Sequence, residues 1–230
     1  MTATLAAGIA HDFNNMLGSI TGLAEVCMLT SEAGTRLHTN LNNILLTGRK
    51  AASLVRQMLE YARQMPQACE PLCLSGLLRR IEPLLAVGLP GGVRLQVQTR
   101  GEAPVLADAV QIEQVLLNLV NNAGYAMRES GGTLTVTATC TAEGHNPLRR
   151  PAVHLQVSDE GCGIAPQDLA HIFEPFFTTK PVGEGTGLGL AAAYGIVKGH
   201  HGHIGVHSTV GQGTVFDIWL PLETVPQATA

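Results

Sequence analysis

The 230-residue sequence predicts an α+β protein in which an N-terminal helical hairpin precedes an α/β domain with a mixed sheet. Apolar residues recur at three- and four-residue steps through the first part of the chain, and strand-like and helix-like segments alternate after Pro71. The helical periodicity stops over Gln67–Pro71, which predicts the domain boundary. We therefore expect a hairpin domain over 1–66, a second domain over 67–223 and a frayed tail over 224–230.

The hairpin is predicted by two amphipathic segments. The first covers about Leu5–Leu29 and fades at Thr30–Gly34, and the second runs from Leu37 to about Ala62 and ends before Pro66. Two helices alone bury too little apolar surface to be stable, so we expect both apolar faces to pack against a second copy in a dimeric four-helix bundle. The alternative is a hairpin that packs against its own second domain.

The second domain is predicted to alternate strands with helices. The predicted strands are Leu72–Leu74, Val93–Gln98, Thr133–Thr141, Val153–Val157, Ile204–His207 and Thr214–Leu220. The predicted helices are one capped by Ser75 and ending near Ala86, one capped by Asp108 and ending near Met127, and Leu188–Gly199.

The composition predicts a folded chain and excludes two classes of partner. Hydrophobic residues make up 45% of the sequence and charged residues 14%, so the chain is not mostly disordered. A formal net charge of −4 provides no electrostatic basis for binding nucleic acid or an anionic membrane, and we expect neither. No apolar run is long enough to span a bilayer, so we expect a soluble chain.

Neither the cysteines nor the histidines predict a metal centre. The five cysteines are scattered and form no Cys-x-x-Cys pair, so we expect reduced thiols that act as small apolar residues. Four C-terminal histidines lie among glycines with no cysteine or carboxylate close by, which favours a turn followed by a half-exposed strand. These histidines are His200, His201, His203 and His207.

One further histidine lies in the first predicted helix, away from its apolar face. His11 is followed directly by Asp12, and Asn15 lies one helical turn later. Such a histidine can accept a phosphoryl group, bind a metal or have no function. Taken alone, the pattern favours no function.

The long helix after Asp108 carries three carboxamides, Asn118, Asn121 and Asn122. Asn118 and Asn122 are four residues apart and share one helix face. Asparagine is a poor helix former, so a role other than helix stability is favoured. Neutral amide oxygens suit Mg²⁺ when phosphates balance most of its charge. The alternative is that these amides bond to the neighbouring backbone.

Asp159 ends a predicted strand and is followed by Gly161 and Gly163. A carboxylate in this position suits the exocyclic amine of a base such as adenine, and the two glycines would let the backbone approach the ring. The same spacing also describes an ordinary tight turn.

Alternating glycines lead into the last predicted helix. They are Gly183, Gly185, Gly187 and Gly189, and their N–H groups near a helix N-terminus suit phosphate oxygens, although a flexible hinge is the alternative. The late position of this string disfavours a Rossmann fold, and the chain lacks the Gly-Lys-Ser or Gly-Lys-Thr of a Walker loop.

Taken together, these segments resemble the sensor histidine kinases of two-component systems. They match the boxes of that family in order and over nearly the whole chain. The boxes are an H-box at His11, an N-box at Asn118–Ala126, glycine boxes at Asp159–Gly163 and Gly183–Leu190, a phenylalanine box at Phe173–Phe177 and a final Gly211–Thr214. The resemblance implies a dimerisation and phosphoacceptor hairpin followed by an ATP-binding domain of the GHKL type, the α/β sandwich of gyrase-, Hsp90- and MutL-type ATPases.

The resemblance implies ATP and Mg²⁺ as cofactors and a role for each matched residue. His11 would attack the γ-phosphate, Asp12 would orient its ring, and Asn15 would orient water during dephosphorylation of a partner. Asn118 and Asn122 would hold Mg²⁺, and Asp159 would select adenine. The remaining nucleotide contacts would be Tyr125, Gly161, Gly163, Lys180, Gly185, Thr186, Gly187, Leu188, Gly189 and Thr214.

The implied function is an ATP-dependent protein-histidine kinase that acts as a homodimer and passes its phosphoryl group to a response-regulator receiver domain. We expect a cytoplasmic chain, either free or as the cytosolic part of a larger membrane-bound sensor. Gly124 and Tyr125 replace a basic and an acidic residue that often follow Asn-Ala in the family. A phosphatase-biased or catalytically weak core, or a nucleotide-sensing dimerisation scaffold, is therefore the alternative. A GyrB- or Hsp90-like ATPase would leave the H-box hairpin unexplained.

Overall fold

The computed structural model describes residues 2–32, 34–48, 69–141, 146–181 and 184–223, with side chains from residue 16 onward. These residues form two compact units, one within 1–66 and 178–188 and the other within 67–177 and 189–230. The residues on either side of the predicted domain boundary, 49–68, and the predicted tail, 224–230, lie outside the described residues. The domain limits therefore stay a prediction.

The hairpin of the first unit consists of α1 (Thr2–Thr30) and α2 (residues 36–48). The turn between them contains Gly34 at φ +84°, a backbone conformation that favours glycine. Ser31 Oγ and His38 Nδ1 are 2.9 Å apart and join the end of α1 to the start of α2. Ala24, Leu41 and Leu45 are the buried contacts between the helices, with Met28 packed against them. The predicted extension of the second helix to Ala62 lies outside the described residues.

A five-stranded mixed sheet forms the centre of the second unit, in the order β2-β4-β5-β7-β6. The strands β2 and β4 are parallel and the other neighbours are antiparallel. Their bounds are β2 Val93–Arg100, β4 Gly132–Thr141, β5 Ala152–Asp159, β6 His203–Thr209 and β7 Gly213–Pro221. The predicted mixed sheet is confirmed, including the half-exposed strand that follows the histidine-rich turn.

A second, two-stranded sheet pairs β1 (Glu70–Cys73) with β3 (Pro104–Ala107) in antiparallel register. β3 was not predicted from the sequence. It has four residues and begins with proline, so its periodicity is too short to be recognised locally.

Helices cover one face of the five-stranded sheet. They are α3 (Leu74–Val87), α4 (Ala109–Ala126) and α6 (Gly189–Gly199), and a short α5 (Pro166–Leu169) follows β5. Leu134, Val136 and Ala138 on β4 are buried while the threonines between them are half-buried, because alternate residues of a strand point to opposite faces. The hydrophobic core therefore lies between this face and the helices, with Leu78 and Leu116 fully buried in it.

The two predicted helix caps have different outcomes. Asp108 caps α4 as predicted, since its Oδ1 accepts hydrogen bonds from the N–H groups of Val110 at 2.9 Å and Gln111 at 3.2 Å. The prediction that Ser75 caps α3 was wrong. Cys73 is the N-cap, and the buried Ser75 hydroxyl donates instead to the carbonyl oxygen of Gly101 at 2.7 Å. This partner lies 26 residues away in sequence, so no local pattern indicates it.

Candidate functional site

A buried carboxylate lies at the end of β5. Asp159 is 6% exposed, and its Oδ1 accepts a hydrogen bond from the N–H of Gly161 at 2.9 Å. Burial raises the pKa of this carboxyl group above its ordinary value, while the N–H groups of Gly161 and Thr214 pull it down by donating to the charged form. Two fixed backbone donors orient the carboxylate, and its remaining lone pairs can accept hydrogen bonds from a ligand.

The glycines near Asp159 permit close contacts between loops. A Cβ atom at Gly161 would lie 2.7 Å from the Cβ of Ala126, and the next N–H, that of Cys162, donates to the Ala126 carbonyl oxygen at 3.2 Å. Gly163 has φ +71°, and a Cβ there would overlap the Thr209 carbonyl oxygen. Ala126 and Thr209 thus occupy the space that side chains at positions 161 and 163 would need. Both glycines therefore hold the loop after β5 against the C-terminus of α4 and the end of β6.

Thr214 is buried beside Asp159 and belongs to a hydroxyl pair that the sequence did not indicate. Ser208 Oγ donates to the Gly213 carbonyl oxygen at 2.9 Å and accepts from the Ile164 N–H at 2.8 Å. The single Ser208 proton is thereby used, so the 2.9 Å contact between Ser208 Oγ and Thr214 Oγ1 requires Thr214 to donate. Thr214 is left with lone pairs only, and toward a ligand it can act only as an acceptor.

Asn118 connects α4 to the first residue of α6. Its Nδ2 donates to the Gly189 carbonyl oxygen at 3.0 Å, and its Oδ1 accepts from Gln114 Nε2 at 3.1 Å. One lone pair of Oδ1 is left for a further partner. Gln114 lies one helical turn before Asn118, a spacing that could have identified it from the sequence.

The residues after Asn118 on α4 are packed more tightly than the sequence indicates. Asn122 and Tyr125 are half-buried, and the guanidinium carbon of Arg128 lies 4.2 Å above the Tyr125 ring. A Cβ at the buried Gly124 would lie 3.0 Å from Leu89 Cδ2, so the turn after α3 occupies the space of a side chain at position 124. Arg128, two residues beyond the end of α4, is the cation that lies beside Tyr125.

The segment 178–188 brings Lys180 and Gly185 together. The Lys180 N–H donates to Thr178 Oγ1 at 3.2 Å, and a Cβ at Gly185 would lie 3.0 Å from the Cβ of Lys180. The Leu188 N–H donates to Thr186 Oγ1 at 3.2 Å. Gly187 between them has φ +65°, which a residue with a side chain rarely adopts. Gly183 lies outside the described residues.

The backbone of His11, Asp12 and Asn15 is helical and belongs to α1. Their side chains lie outside the described residues, so the predicted H-box roles stay a prediction.

Of the histidines near the C-terminus, His200 has a structural role. It is 4% exposed, its Nδ1 donates to the Ile196 carbonyl oxygen at 2.8 Å, and its Nε2 accepts from the Asp108 N–H at 3.0 Å. This pattern requires the neutral tautomer with the proton on Nδ1. His203 instead packs against the Trp219 ring, with 5.8 Å between ring centroids. Among the described residues, no group of histidine, cysteine and carboxylate side chains is arranged to hold a metal ion.

Two protein-family models match the chain. The His Kinase A (phospho-acceptor) domain matches residues 1–67, and the histidine kinase-, DNA gyrase B-, and HSP90-like ATPase domain matches residues 107–224. The first match contains His11, and the second contains Asn118, Asp159 and Thr214.

Curated relatives show the same similarity. The sensor kinase CckA of Brucella abortus (strain 2308) is 42% identical over 224 residues, which cover 94% of this chain and 24% of that protein. The sensor histidine kinase ZraS of Escherichia coli (strain K12) is 35% identical over 220 residues, which cover 95% of this chain and 45% of that protein. The chain therefore spans less than half the length of these relatives.

Solved structures share the fold. A crystal structure of full-length ShkA in complex with AMPPNP has a TM-score of 0.78 and 26% identity, covering 98% of this chain and 47% of that chain. The mycobacterial sensor histidine kinase MprB has a TM-score of 0.56 and 26% identity, covering 69% of this chain and 100% of that chain.

None of the helices in the described part of the chain combines the length and apolarity needed to cross a membrane. The helical hairpin and the ATPase-type α/β unit are each matched by a family model, and the similarity to CckA and to ZraS extends over 94% and 95% of this chain. The chain therefore belongs to the sensor histidine kinases of two-component systems, and these residues make up a phosphoacceptor and ATP-binding kinase core.

Proposed function

We propose that this core transfers the γ-phosphoryl group of ATP to His11 and then to an aspartate of a response-regulator receiver domain. The observation that carries the proposal is the buried Asp159 carboxylate in the same unit as the carboxamide of Asn118. A buried acceptor at a strand end suits a purine amine, and neutral amide oxygens suit a magnesium-bound phosphate chain.

Asp159 would recognise adenine. Its carboxylate is already oriented by the Gly161 N–H, and it would accept a hydrogen bond from the exocyclic amine of the base. Thr214, whose hydroxyl proton is directed to Ser208, would provide a second hydrogen-bond acceptor at the same end of the site. Guanine presents a carbonyl oxygen in place of that amine, so two acceptors would face each other and the base would be rejected.

The donor set on α4 fits Mg²⁺. Asn118 Oδ1 keeps a free lone pair after its bond with Gln114, and Asn122 lies one turn further along the same helix face. These two residues would hold the ion, which when bound would neutralise charge on the phosphate oxygens. Neutral amides leave most of the charge balance to the phosphates, which suits an ion that arrives together with the nucleotide.

The phosphate chain would lie along the glycine string. α6 begins at Gly189, and the N–H groups at a helix start favour anions. The backbone of Gly185, Thr186, Gly187 and Leu188 would provide further donors, and Lys180 a positive charge. These residues would position the γ-phosphate and exclude water, which is most of what phosphoryl transfer requires of a protein.

His11 would act as the nucleophile. A bond forms from its Nε2 atom to the γ-phosphorus as the bond to the bridging oxygen breaks, and ADP leaves. Asp12 would accept a hydrogen bond from Nδ1–H, which selects the neutral tautomer with a free Nε2 and supports positive charge on the ring. Asn15 would orient water against the phosphoaspartate of the partner during dephosphorylation.

The hairpin would form a homodimer. Large apolar residues on α1 and α2 are between 42% and 86% exposed, a surface that a lone soluble hairpin rarely presents. These residues are Met16, Ile20, Leu23, Val26, Leu29, Leu37, Ile44 and Leu46. A second copy with the same two faces would bury them in a four-helix bundle. A chain that uses ATP and a receiver domain in this way would work in the cytoplasm.

The proposal is tested by incubating the purified chain with γ-labelled ATP and Mg²⁺. We expect label that is lost in acid, stable in base and absent from His11→Ala. His38→Ala, which changes a second hairpin histidine, is the matched control and should label like the wild type. Nucleotide binding without labelling would instead support the nucleotide-sensing scaffold. Normal labelling of His11→Ala would contradict the assignment of the nucleophile.

A further inference from the structure

We propose that Gln114 is a positioning residue that sets the orientation of the Asn118 carboxamide and thereby its affinity for the magnesium–nucleotide complex. The inference rests on the proposed function of Asn118. Gln114 belongs to none of the residues matched to the family boxes, and its side chain contacts Asn118 from one helical turn away, at 3.1 Å.

The Gly189 carbonyl determines which atom donates in the hydrogen bonds that join Gly189, Asn118 and Gln114. A carbonyl oxygen only accepts, so the Asn118 atom that faces it at 3.0 Å must be the nitrogen Nδ2. The other end of the same amide is then the oxygen Oδ1, and the Gln114 atom facing Oδ1 must be the donor Nε2. The orientation of both amides follows from one backbone group at the start of α6.

Gln114 therefore has a task that the bond to Gly189 alone does not perform. A single bond from Nδ2 leaves the carboxamide free to pivot about that contact, and the direction of Oδ1 changes as it pivots. The second bond, from Gln114, removes this freedom before any ion binds. A metal ligand that is held in place in this way loses less conformational entropy when the ion arrives.

The same bond leaves Oδ1 with one lone pair, and that lone pair is available to an ion. The hydrogen bond from Gln114 also polarises the side-chain carbonyl of Asn118. At the other end of this amide, Nδ2 donates a hydrogen bond to the Gly189 carbonyl oxygen. The ligand is thus part of a connected set of hydrogen bonds that joins α4 to the helix whose start would face the phosphates. Disturbing Gln114 would free this oxygen to change direction while the bond from Nδ2 to Gly189 stays in place.

Two substitutions separate this role from packing. Gln114→Glu keeps the shape but replaces the donor by an acceptor, so two oxygens would face each other and Asn118 would turn away. Gln114→Met keeps the length and removes both hydrogen-bonding groups. Gln111→Glu is the matched control, because it adds the same charge to the same helix one turn earlier, away from Asn118.

The measurement is the affinity of the full chain for a fluorescent ATP analogue, titrated with Mg²⁺ and repeated in EDTA, together with hydrogen exchange of the Asn118 side-chain amide in metal-free protein. We expect Gln114→Glu and Gln114→Met to need roughly 10- to 100-fold more Mg²⁺ to reach half-maximal binding, the usual loss when a partner of a metal ligand is removed. Affinity in EDTA should be unchanged, the amide should exchange faster, and Gln111→Glu should behave like the wild type.

An unchanged Mg²⁺ requirement in both Gln114 variants would overturn the inference, and so would an equal loss of affinity with and without Mg²⁺, since that result would indicate a packing defect. If the wild type itself binds no nucleotide, the proposed function fails first and this inference with it. Normal wild-type binding with unaffected Gln114 variants would contradict the inference alone.

Discussion

The Nε2 atom of His200 accepts a hydrogen bond from the backbone N–H of Asp108, 3.0 Å away. His200 follows the last residue of α6 and Asp108 precedes the first residue of α4. At the other end of α6, the Asn118 side chain in the middle of α4 donates a hydrogen bond to the carbonyl oxygen of Gly189. The two helices therefore run antiparallel and are connected at both ends of α6. The end at Gly189 belongs to the candidate site, and the end at His200 supports it from a distance.

We predict that His200→Ala destabilises the α/β unit by about 1–3 kcal/mol, the usual cost of leaving a buried donor without a partner. The Asp108 N–H loses its acceptor, and the Ile196 carbonyl loses a donor. Urea unfolding followed by circular dichroism measures the change. His207→Ala removes a histidine whose side chain is 83% exposed and should change stability by less than about 0.5 kcal/mol. Equal effects of the two substitutions would contradict a structural role for His200.

We predict that Asp159→Asn stabilises the nucleotide-free chain at neutral pH and weakens its binding of ATP. Burial raises the pKa of this carboxyl group in the folded state above the ordinary value of 3.8, so ionisation opposes folding. The folded chain binds the proton more tightly than the unfolded chain. The bound proton therefore stabilises the folded chain fully at pH values below the pKa of Asp159 in the unfolded state. This stabilisation is lost as pH rises through the pKa of Asp159 in the folded state. In Asp159→Asn the amide oxygen can still accept from the Gly161 N–H, and the side chain has no ionisation that opposes folding.

Unfolding midpoints measured at a series of pH values above 3.8, the ordinary pKa of this group, test the prediction, because a raised pKa moves the titration in that direction. The stability advantage of the asparagine variant should grow as pH rises. An advantage that is constant or shrinks with rising pH would show that burial does not raise the Asp159 pKa. Loss of ATP binding without a change in fold would separately support its contact with the base.

We predict opposite effects for two Gly→Ala substitutions in the same unit. Gly163 has φ +71°, and an added Cβ would overlap the Thr209 carbonyl oxygen, so Gly163→Ala should destabilise and loosen the loop beside Asp159. Gly195 lies in α6 and an added Cβ would have no atom within 4 Å, so Gly195→Ala should stabilise by about 1 kcal/mol through helix propensity. Thermal unfolding measures both. A stabilising Gly163→Ala would contradict the close packing of this loop.

The helices other than the four-residue α5, most strands and the Asp108 cap were predictable from the sequence, because they depend on interactions between residues that are close along the chain. Apolar periodicity predicted α1, alternation predicted β2, and a high content of threonine and valine predicted β4. The Asp108 cap involves residues only two and three positions away. The identities of Asn118 and Asp159 as candidate ligands were also evident, since their side-chain chemistry and spacing stand out locally.

Other contacts were decided only by the tertiary structure. Ser75 has a cap-like sequence position, yet its hydroxyl binds Gly101, since burial of that serine demands a partner and the fold brings this carbonyl to it. Asn118 and Gly189 are 71 residues apart in sequence, and no pattern of either segment predicts that they meet. The sequence alone determined most of the helices and strands and which side chains are suited to a nucleotide, whereas the short β3 and α5 became evident only in the fold. The packing of α4 against α6 and of the loops around β5 determined how those side chains are oriented, because their partners are distant along the chain.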